Sequence, residues 1–352
     1  MTMIHNIRAM RHNTTLLTTP SSIFASLIRD LHRARRSIDM EYYIFEADRI
    51  GSTIINILTR KAHQGVVVRL LIDGYGSRRM PHAMLARLLA AGVKVQRNTL
   101  LSHSRNHRKM TIIDKSIAHV GGVNIADRYI VGNGLGLWHD VELRFTGEAV
   151  ATLAMLFEHD TNVAMGKSME PLHSQKRYGL QLYWSEAEGG KAIGRLLSDI
   201  ITTAEQSITL TTPYFMPPRD TLELLAAAVS RGVRVEVIIP ERSDIWALDE
   251  LTRRFVARAE TRGIELRILR GAFLHAKLAL VDHRRTILGS ANLDARSLHI
   301  NRELMLSTYD RGVSRAAENF LHEMRSKSTS PRRNDLRSAI PAIVTKLLEP
   351  VL

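Results

Sequence analysis

The feature that most restricts the fold of this chain is a pattern that occurs twice. Residues His107 to Asn124 read HRKMTIIDKSIAHVGGVN, and His275 to Asn292 read HAKLALVDHRRTILGSAN. Counted from the histidine, Lys falls at +2, Asp at +7, a pair of small residues at +14 and +15, and Asn at +17 in both copies. The surroundings repeat too. ARRSIDMEYYIF (34–45) parallels AEQSITLTTPYF (204–215), and VVVRLLID parallels VRVEVIIP. Ser37 matches Ser207, Gly65 matches Gly232, Gly92 matches Gly263 and His107 matches His275. A duplication of this length predicts two like units related by a pseudo-twofold axis. The alternation of strand and helix patterns makes each an α/β/α unit, a mixed β-sheet flanked by helices. The two motifs are then expected to meet where the units join, since ligand sites commonly lie at such junctions.

The elements follow from periodicity. A helix is expected to begin at Pro20-Ser21-Ser22, with Ile23, Phe24, Leu27, Ile28 and Leu31 on one face. Residues 37–45 read as a strand, 50–63 as a helix, 64–74 as a buried strand and 80–92 as a helix, followed by the strand VKVQ. In the second half, 221–232 and the segment through Phe255-Val256-Ala257 read as helices, and 263–269 as a strand. The predicted division is a first unit over 1–160, a polar linker over 161–179, a second unit over 180–328 and a tail over 329–352. In that tail Leu336, Ile340, Ile343, Val344, Leu347, Leu348 and Val351 recur at helical spacing behind Arg332, Arg333 and Arg337. This stripe would dock on an anionic membrane surface or pack on the protein's own core.

The chemistry of the motif follows from its residue types. Alternation along a strand points His107 and Lys109 to one face, and His275 and Lys277 likewise. The small pair lets backbone approach a neighbour closely. Each copy thus offers an imidazole, an ammonium and the amide of Asn124 or Asn292. Two copies facing each other place two of each around one anion, which suits a phosphodiester. A single HxK carries little weight, but two copies matching at every polar position do.

The pattern HxK, four residues, D, six residues, GG or GS, then N resembles the signature of the phospholipase D superfamily, and both halves match it. The text around it, with RNHRKMTIID, TPYFMPP and FLHAKLALVD followed by GSANLDARSLHINRE, is similar to bacterial cardiolipin synthases, from about Ala34 onward. The resemblance implies a covalent phosphohistidine intermediate, with no metal and no other cofactor. It makes His107 the nucleophile and His275 the general acid. Lys109, Lys277, Asn124 and Asn292 would hold the non-bridging oxygens, with Asp114 and Asp282 completing the catalytic motifs, although in this family those acids more often support the fold. It also places an acid beside each histidine: Glu303 from the second half, and Asp140 from the first, with Glu142 competing for the latter role. The implied reaction moves a phosphatidyl group from phosphatidylglycerol to a second phospholipid and releases glycerol. Hydrolysis by water, or phosphodiester cleavage in nucleic acid, would use the same residues.

Composition narrows the partners. With 49 basic and 35 acidic side chains the formal charge is +14, which favours an anionic partner, whether lipid headgroups or nucleic acid. There is no cysteine, so disulfide frameworks and thiolate metal sites are excluded. Histidine shows no metal-ligand spacing, and no metal site is expected. No apolar run approaches the roughly 18–20 residues that a membrane span needs, and MTMIHNIRAMRHNTT lacks the apolar core of a signal peptide. The expectation is a cytoplasmic protein peripheral on the inner face of the bacterial cell membrane, similar to the shorter members of the family that lack N-terminal membrane helices.

Overall fold

The computed structural model describes residues 13–98, 104–170, 179–186 and 191–332. Two large mixed sheets dominate it. The first runs in the order Thr14–Leu17, Glu142–Thr146, Ile117–Gly121, Lys109–Ile113, Ser37–Tyr42, Val67–Ile72, Lys94–Arg97. The second runs Ser328–Thr329, Glu265–Leu269, Arg234–Pro240, Ser207–Thr211, Leu278–Val281, Arg285–Gly289, Leu304–Thr308, Leu180–Trp184. Read from the Lys94–Arg97 and Glu265–Leu269 strands inward, the order repeats. Three parallel strands are followed by the antiparallel motif hairpin and the strand after it. The duplication seen in the sequence is therefore a duplication of topology, and the expected pair of α/β units is present.

Helices cover both faces of each sheet. Pro20–Arg33, Arg49–His63 and His82–Ala90 pack an outer core in the first unit. Ala192–Thr203, Arg219–Ser230 and Trp246–Glu260 do so in the second. The helix at Pro20 begins as expected: Thr19 caps it, its hydroxyl accepting from the Ser22 N–H, and Pro20 sits where a missing N–H is harmless. Between the sheets lies a third core to which both units contribute. Leu153 and Phe157 of the helix Ala149–Ala164 share it with Phe320 and Met324 of the helix Arg311–Ser326. Burying side chains of this size is worth about 1.5–3 kcal/mol each, so the junction is held as an interior is.

That shared core alters the expected boundaries. The helix Ala149–Ala164 crosses the predicted end of the first unit at 160 and carries its last turn into the stretch read as a linker. Polar residues there hid a helix whose apolar faces are buried between two sheets. Residues 171–178 and the amphipathic tail from 333 onward lie outside the described residues.

The motif hairpins show why Asp recurs at +7. Each turn has two successive left-handed residues, Asp114 and Lys115 in the first (φ 53° and 53°), Asp282 and His283 in the second (φ 49° and 56°). The Ser116 and Arg284 N–H groups donate back across these turns to Ile113 and Val281, the geometry of a type I′ turn. A short polar side chain tolerates that conformation better than a branched or bulky one.

Candidate active site

Each histidine stands at the end of a sheet strand, and a short ladder fixes it against the opposite unit. Ala272–Leu274, just before His275, pairs in parallel with Leu137–His139, just before Asp140. The His275 N–H then donates to the His139 carbonyl at 2.8 Å. In the other motif Asn106 bridges to Arg302, and the His107 N–H donates to the Arg302 carbonyl at 2.9 Å, one residue before Glu303.

The result is a crossed arrangement. His107 Nδ1 lies 2.9 and 3.0 Å from the two carboxylate oxygens of Glu303, which belongs to the second unit. His275 Nδ1 lies 2.6 Å from Asp140 Oδ2, which belongs to the first. Each acid thus orients the histidine of the other half and directs its Nε2 outward. Glu142, the competitor to Asp140, faces away: its Oε1 is 2.8 Å from Nδ1 of His119.

The small pair differs between the motifs, and the difference matters. Ser290 donates its hydroxyl to Glu303 Oε2 at 2.5 Å and accepts from the Leu304 N–H at 3.0 Å. Its counterpart is Gly122, where a Cβ would come within 2.4 Å of Asp140 Oδ1. One acid is anchored by a hydroxyl, and the other lies directly on a glycine. Sequence reasoning read the pair only as a place of close approach. The signal was the single departure, GS against GG.

The lysines are buried between these pairs. Lys277 Nζ is 2.9 Å from His275 Nε2 and 2.6 Å from the His275 carbonyl, and Lys109 donates to the His107 carbonyl. Burial depresses both ammonium groups, Lys109 to about 7 and Lys277 to about 8, with Glu303 and Asp140 opposing it. Burial also lowers both imidazoles. His275 falls to about 4, with Lys277 adding to the effect. For His107 burial is again the main cause, with Glu303 working against it and Lys109 and Lys277 adding to it. Burial raises Glu303, but His107, together with Lys109 and Ser290, outweighs it, so its net shift is downward. Charges from both units therefore act on one another at a single locus.

Other motif residues do not join it. Asp114 and Asp282, grouped with the catalytic residues in the sequence, are corrected to structural anchors. They sit at the far end of the motif strand, about 20 Å from the histidines at strand rise. Asp114 accepts from the N–H groups of Arg35, Arg36 and Ser37, at 2.6 Å for the shortest. Asp282 accepts from those of Glu205, Gln206 and Ser207, at 2.7 Å for the shortest. Asn124 is also committed, accepting from the Ile44 N–H at 3.0 Å and donating to the Tyr129 hydroxyl at 2.6 Å. Asn292 differs, because its buried Oδ1 has no hydrogen-bond partner. Aromatic rings complete the walls, with Tyr43 edge-on to His107 at 5.0 Å, and Tyr129 and Trp138 within 5.2 and 5.4 Å of His275.

Arg108, between His107 and Lys109, is fully buried. It pairs with Asp160 and donates to the Ser185 carbonyl at 2.7 Å and, from Nε, to the Glu303 carbonyl at 3.3 Å. Its counterpart is Ala276. Among the described residues, His159, Asp160 and Glu186 form the one group with metal-ligand geometry. The Arg108 guanidinium already brings positive charge there, 3.7 Å from Glu186.

Known proteins match this chain in both halves. Residues 27–160 and 197–325 match the family described as "Cardiolipin synthase, PLD-like domain". The cardiolipin synthase of Geobacillus kaustophilus is 32% identical over 370 residues, covering 98% of this chain and 73% of that protein. Cardiolipin synthase 1 of Bacillus cereus is 29% identical over 375 residues, with 98% and 73% covered. Among solved structures, the phosphatidylserine synthase of Haemophilus influenzae superposes with a TM-score of 0.75 at 18% identity, over 96% of this chain and 92% of that one. The polyphosphate kinase of Porphyromonas gingivalis gives 0.68 at 16% identity, over 96% and 53%; these two likenesses concern the fold. With both halves matched by one family and near-complete alignment to its curated members, the chain belongs to the cardiolipin synthase family of phospholipase D-like enzymes.

Proposed function

We propose that this chain is a phosphatidyltransferase that forms cardiolipin-type lipids from phosphatidylglycerol through a phosphohistidine. The observation that carries the reading is the crossed pair of acid-held imidazoles converging with two buried lysines. The bound phosphodiester's negative charge favours the protonated form of His275. His107 Nε2 attacks the phosphorus, and the bond to the glycerol oxygen breaks as His275 delivers that proton to it. A hydroxyl of a second phospholipid then attacks the phosphorus, His275 takes its proton and the phosphorus–nitrogen bond breaks. One phosphate ester replaces another, so no nucleotide drives the exchange. Lys109 and Lys277 meet the charge that builds on the non-bridging oxygens.

The roles of the histidines are supported by their Nε2 atoms. That of His275 faces Lys277 at 2.9 Å, whereas that of His107 has no hydrogen-bond partner among the described residues. An unengaged lone pair suits the attacking group. The substrates would be drawn from the anionic inner face of the cell membrane by a chain of net charge +14. None of the helices in the described residues is long and apolar enough to cross a membrane.

The test is the lipid product from defined phosphatidylglycerol vesicles, read by mass spectrometry. Cardiolipin with stoichiometric glycerol supports transfer. Phosphatidic acid alone would make the chain a hydrolase, and no lipid product from folded protein would overturn the reading. Peptide mapping of a trapped phosphoryl adduct assigns the nucleophile, and an adduct on His275 would reverse the roles.

A further inference from the structure

The two sides of the site mouth carry different chemistry, although the fold beneath them is duplicated. Both are loops at the carboxyl ends of parallel strands, where open α/β sheets place their ligands. After Val67–Ile72, on the His107 side, Tyr75 has both Arg78 and Arg105 over its ring, with their guanidinium carbons 4.5 and 4.4 Å from the ring centre. That side is aromatic and cationic. After Arg234–Pro240, on the His275 side, the loop instead presents Asp244, which is exposed and accepts a 2.5 Å hydrogen bond from the half-buried Tyr214 hydroxyl.

Tyr214 is tied to the second motif. Thr212 Oγ1 donates to the Tyr214 carbonyl and accepts from the Leu293 N–H, and Phe215 pairs with Leu293, the residue after Asn292. The hydroxyl–carboxylate pair is thus built onto the strand end that carries the second motif. The charge of Asp244 acts on His275, Lys277 and Arg128. Arg128 lies 5.8 Å from the Trp138 ring that walls His275.

We propose that Asp244 and Tyr214 form the subsite for the polyol headgroup, binding the free hydroxyls of the glycerol whose ester oxygen His275 protonates. The inference rests on the phosphatidyltransfer reading and adds its alcohol specificity. Asp244 keeps a carboxylate oxygen free of the tyrosine, and the Tyr214 oxygen keeps acceptor capacity, so a vicinal diol can donate to both. An ammonium headgroup fits less well, because Lys277 and Arg128 already supply positive charge facing the same carboxylate. A site built to hydrogen-bond hydroxyls rejects an analogue that lacks them, because its polar groups are then left unpaired.

The test compares two donor lipids with the same phosphatidyl group in mixed vesicles, where phosphatidylglycerol hydroxyls are the acceptor for both: glycerol release from phosphatidylglycerol and ethanol release from phosphatidylethanol. The wild-type chain should prefer phosphatidylglycerol. Asp244→Asn should lower the ratio of the two kcat/KM values on the order of tenfold, and Tyr214→Phe should move it the same way by less. Circular dichroism and melting temperature confirm that each variant is folded. A ratio unchanged in both folded variants, or one that rises, overturns the subsite. If the wild-type chain cleaves neither lipid, the phosphatidyltransfer reading fails first. Cleavage of both without preference refutes the subsite alone.

Discussion

Asp140 of the first unit accepts a 2.6 Å hydrogen bond from Nδ1 of His275 in the second, and Glu303 returns the relationship to His107. The two acids can therefore be separated by experiment. Asp140→Asn should impair protonation of the leaving group. It should slow glycerol release from phosphatidylglycerol on the order of a hundredfold or more. A bis(p-nitrophenyl) phosphate substrate, whose leaving group needs no proton, should still give a burst of nitrophenol. Glu303→Gln acts on the attacking histidine and should abolish the burst with either substrate. Equal bursts in the two variants would contradict the division of roles.

Ser290 and Gly122 should not be interchangeable. Ser290→Ala removes the 2.5 Å hydrogen bond to Glu303 and should lower kcat roughly tenfold with little change in KM. Gly122→Ser places a Cβ against the Asp140 carboxylate and should cost more, because the acid must move off His275. Steady-state kinetics on the two variants checks the order.

The buried lysines set opposite trends for activity and stability. Their folded pKa values, about 7 and 8, lie below the ordinary 10.5. Between about pH 7 and 10.5 the unfolded chain therefore holds more protons, so their contribution to stability improves as pH rises. Affinity for the anionic substrate needs the charge, so kcat/KM should fall as pH rises through 7 to 8. Lys277→Met should abolish turnover yet raise the melting temperature by a few degrees, since burying the ammonium costs roughly 3 kcal/mol. A destabilised variant would refute the account.

Asp114 and Asp282 should behave as anchors. Replacing either by Ala leaves three backbone N–H groups without their acceptor and strains a left-handed position. The cost should be about 1–2 kcal/mol, as for a lost helix cap, with near-normal kcat per folded molecule. Each holds its proton less tightly than a free carboxyl: burial opposes this, but the backbone hydrogen bonds outweigh it. Their contribution is present above the free carboxyl pKa and is lost as pH falls through the lower folded value. Thermal melts of the variants across acid pH check this.

Activity should survive EDTA, since Lys109 and Lys277 supply the positive charge that a metal would otherwise bring to the phosphate. Loss with EDTA and recovery with a divalent ion would refute this.

The sheets and helices were legible because periodicity, the Pro20-Ser21-Ser22 start and the repeat itself all agreed. The choice between Asp140 and Glu142 was not. Strand alternation would put these two acids, two residues apart, on one face; the break in the chain between Leu137–His139 and Glu142–Thr146 sends them to different histidines, and the insertion VGNGLG (131–136) before them removed the spacing that would have chosen. The crossed pairing was hidden for another reason. It depends on one short ladder and one isolated bridge between units, formed by residues more than 130 apart in sequence. No sequence pattern marked Arg108, which is buried because Asp160 and backbone carbonyls across the junction accept its donors.

The exchange of acids between halves bears on how such a chain could arise. A lone unit would carry a histidine without its acid and an acid without its histidine. Two identical copies related by a twofold axis would complete both pairs. Fusing the copies into one polypeptide lifts the requirement that they stay identical. The departures from symmetry at Gly122 against Ser290, and Arg108 against Ala276, sit beside the histidines. In a single chain, covalent linkage permits one half to specialise in attack while the other specialises in proton delivery.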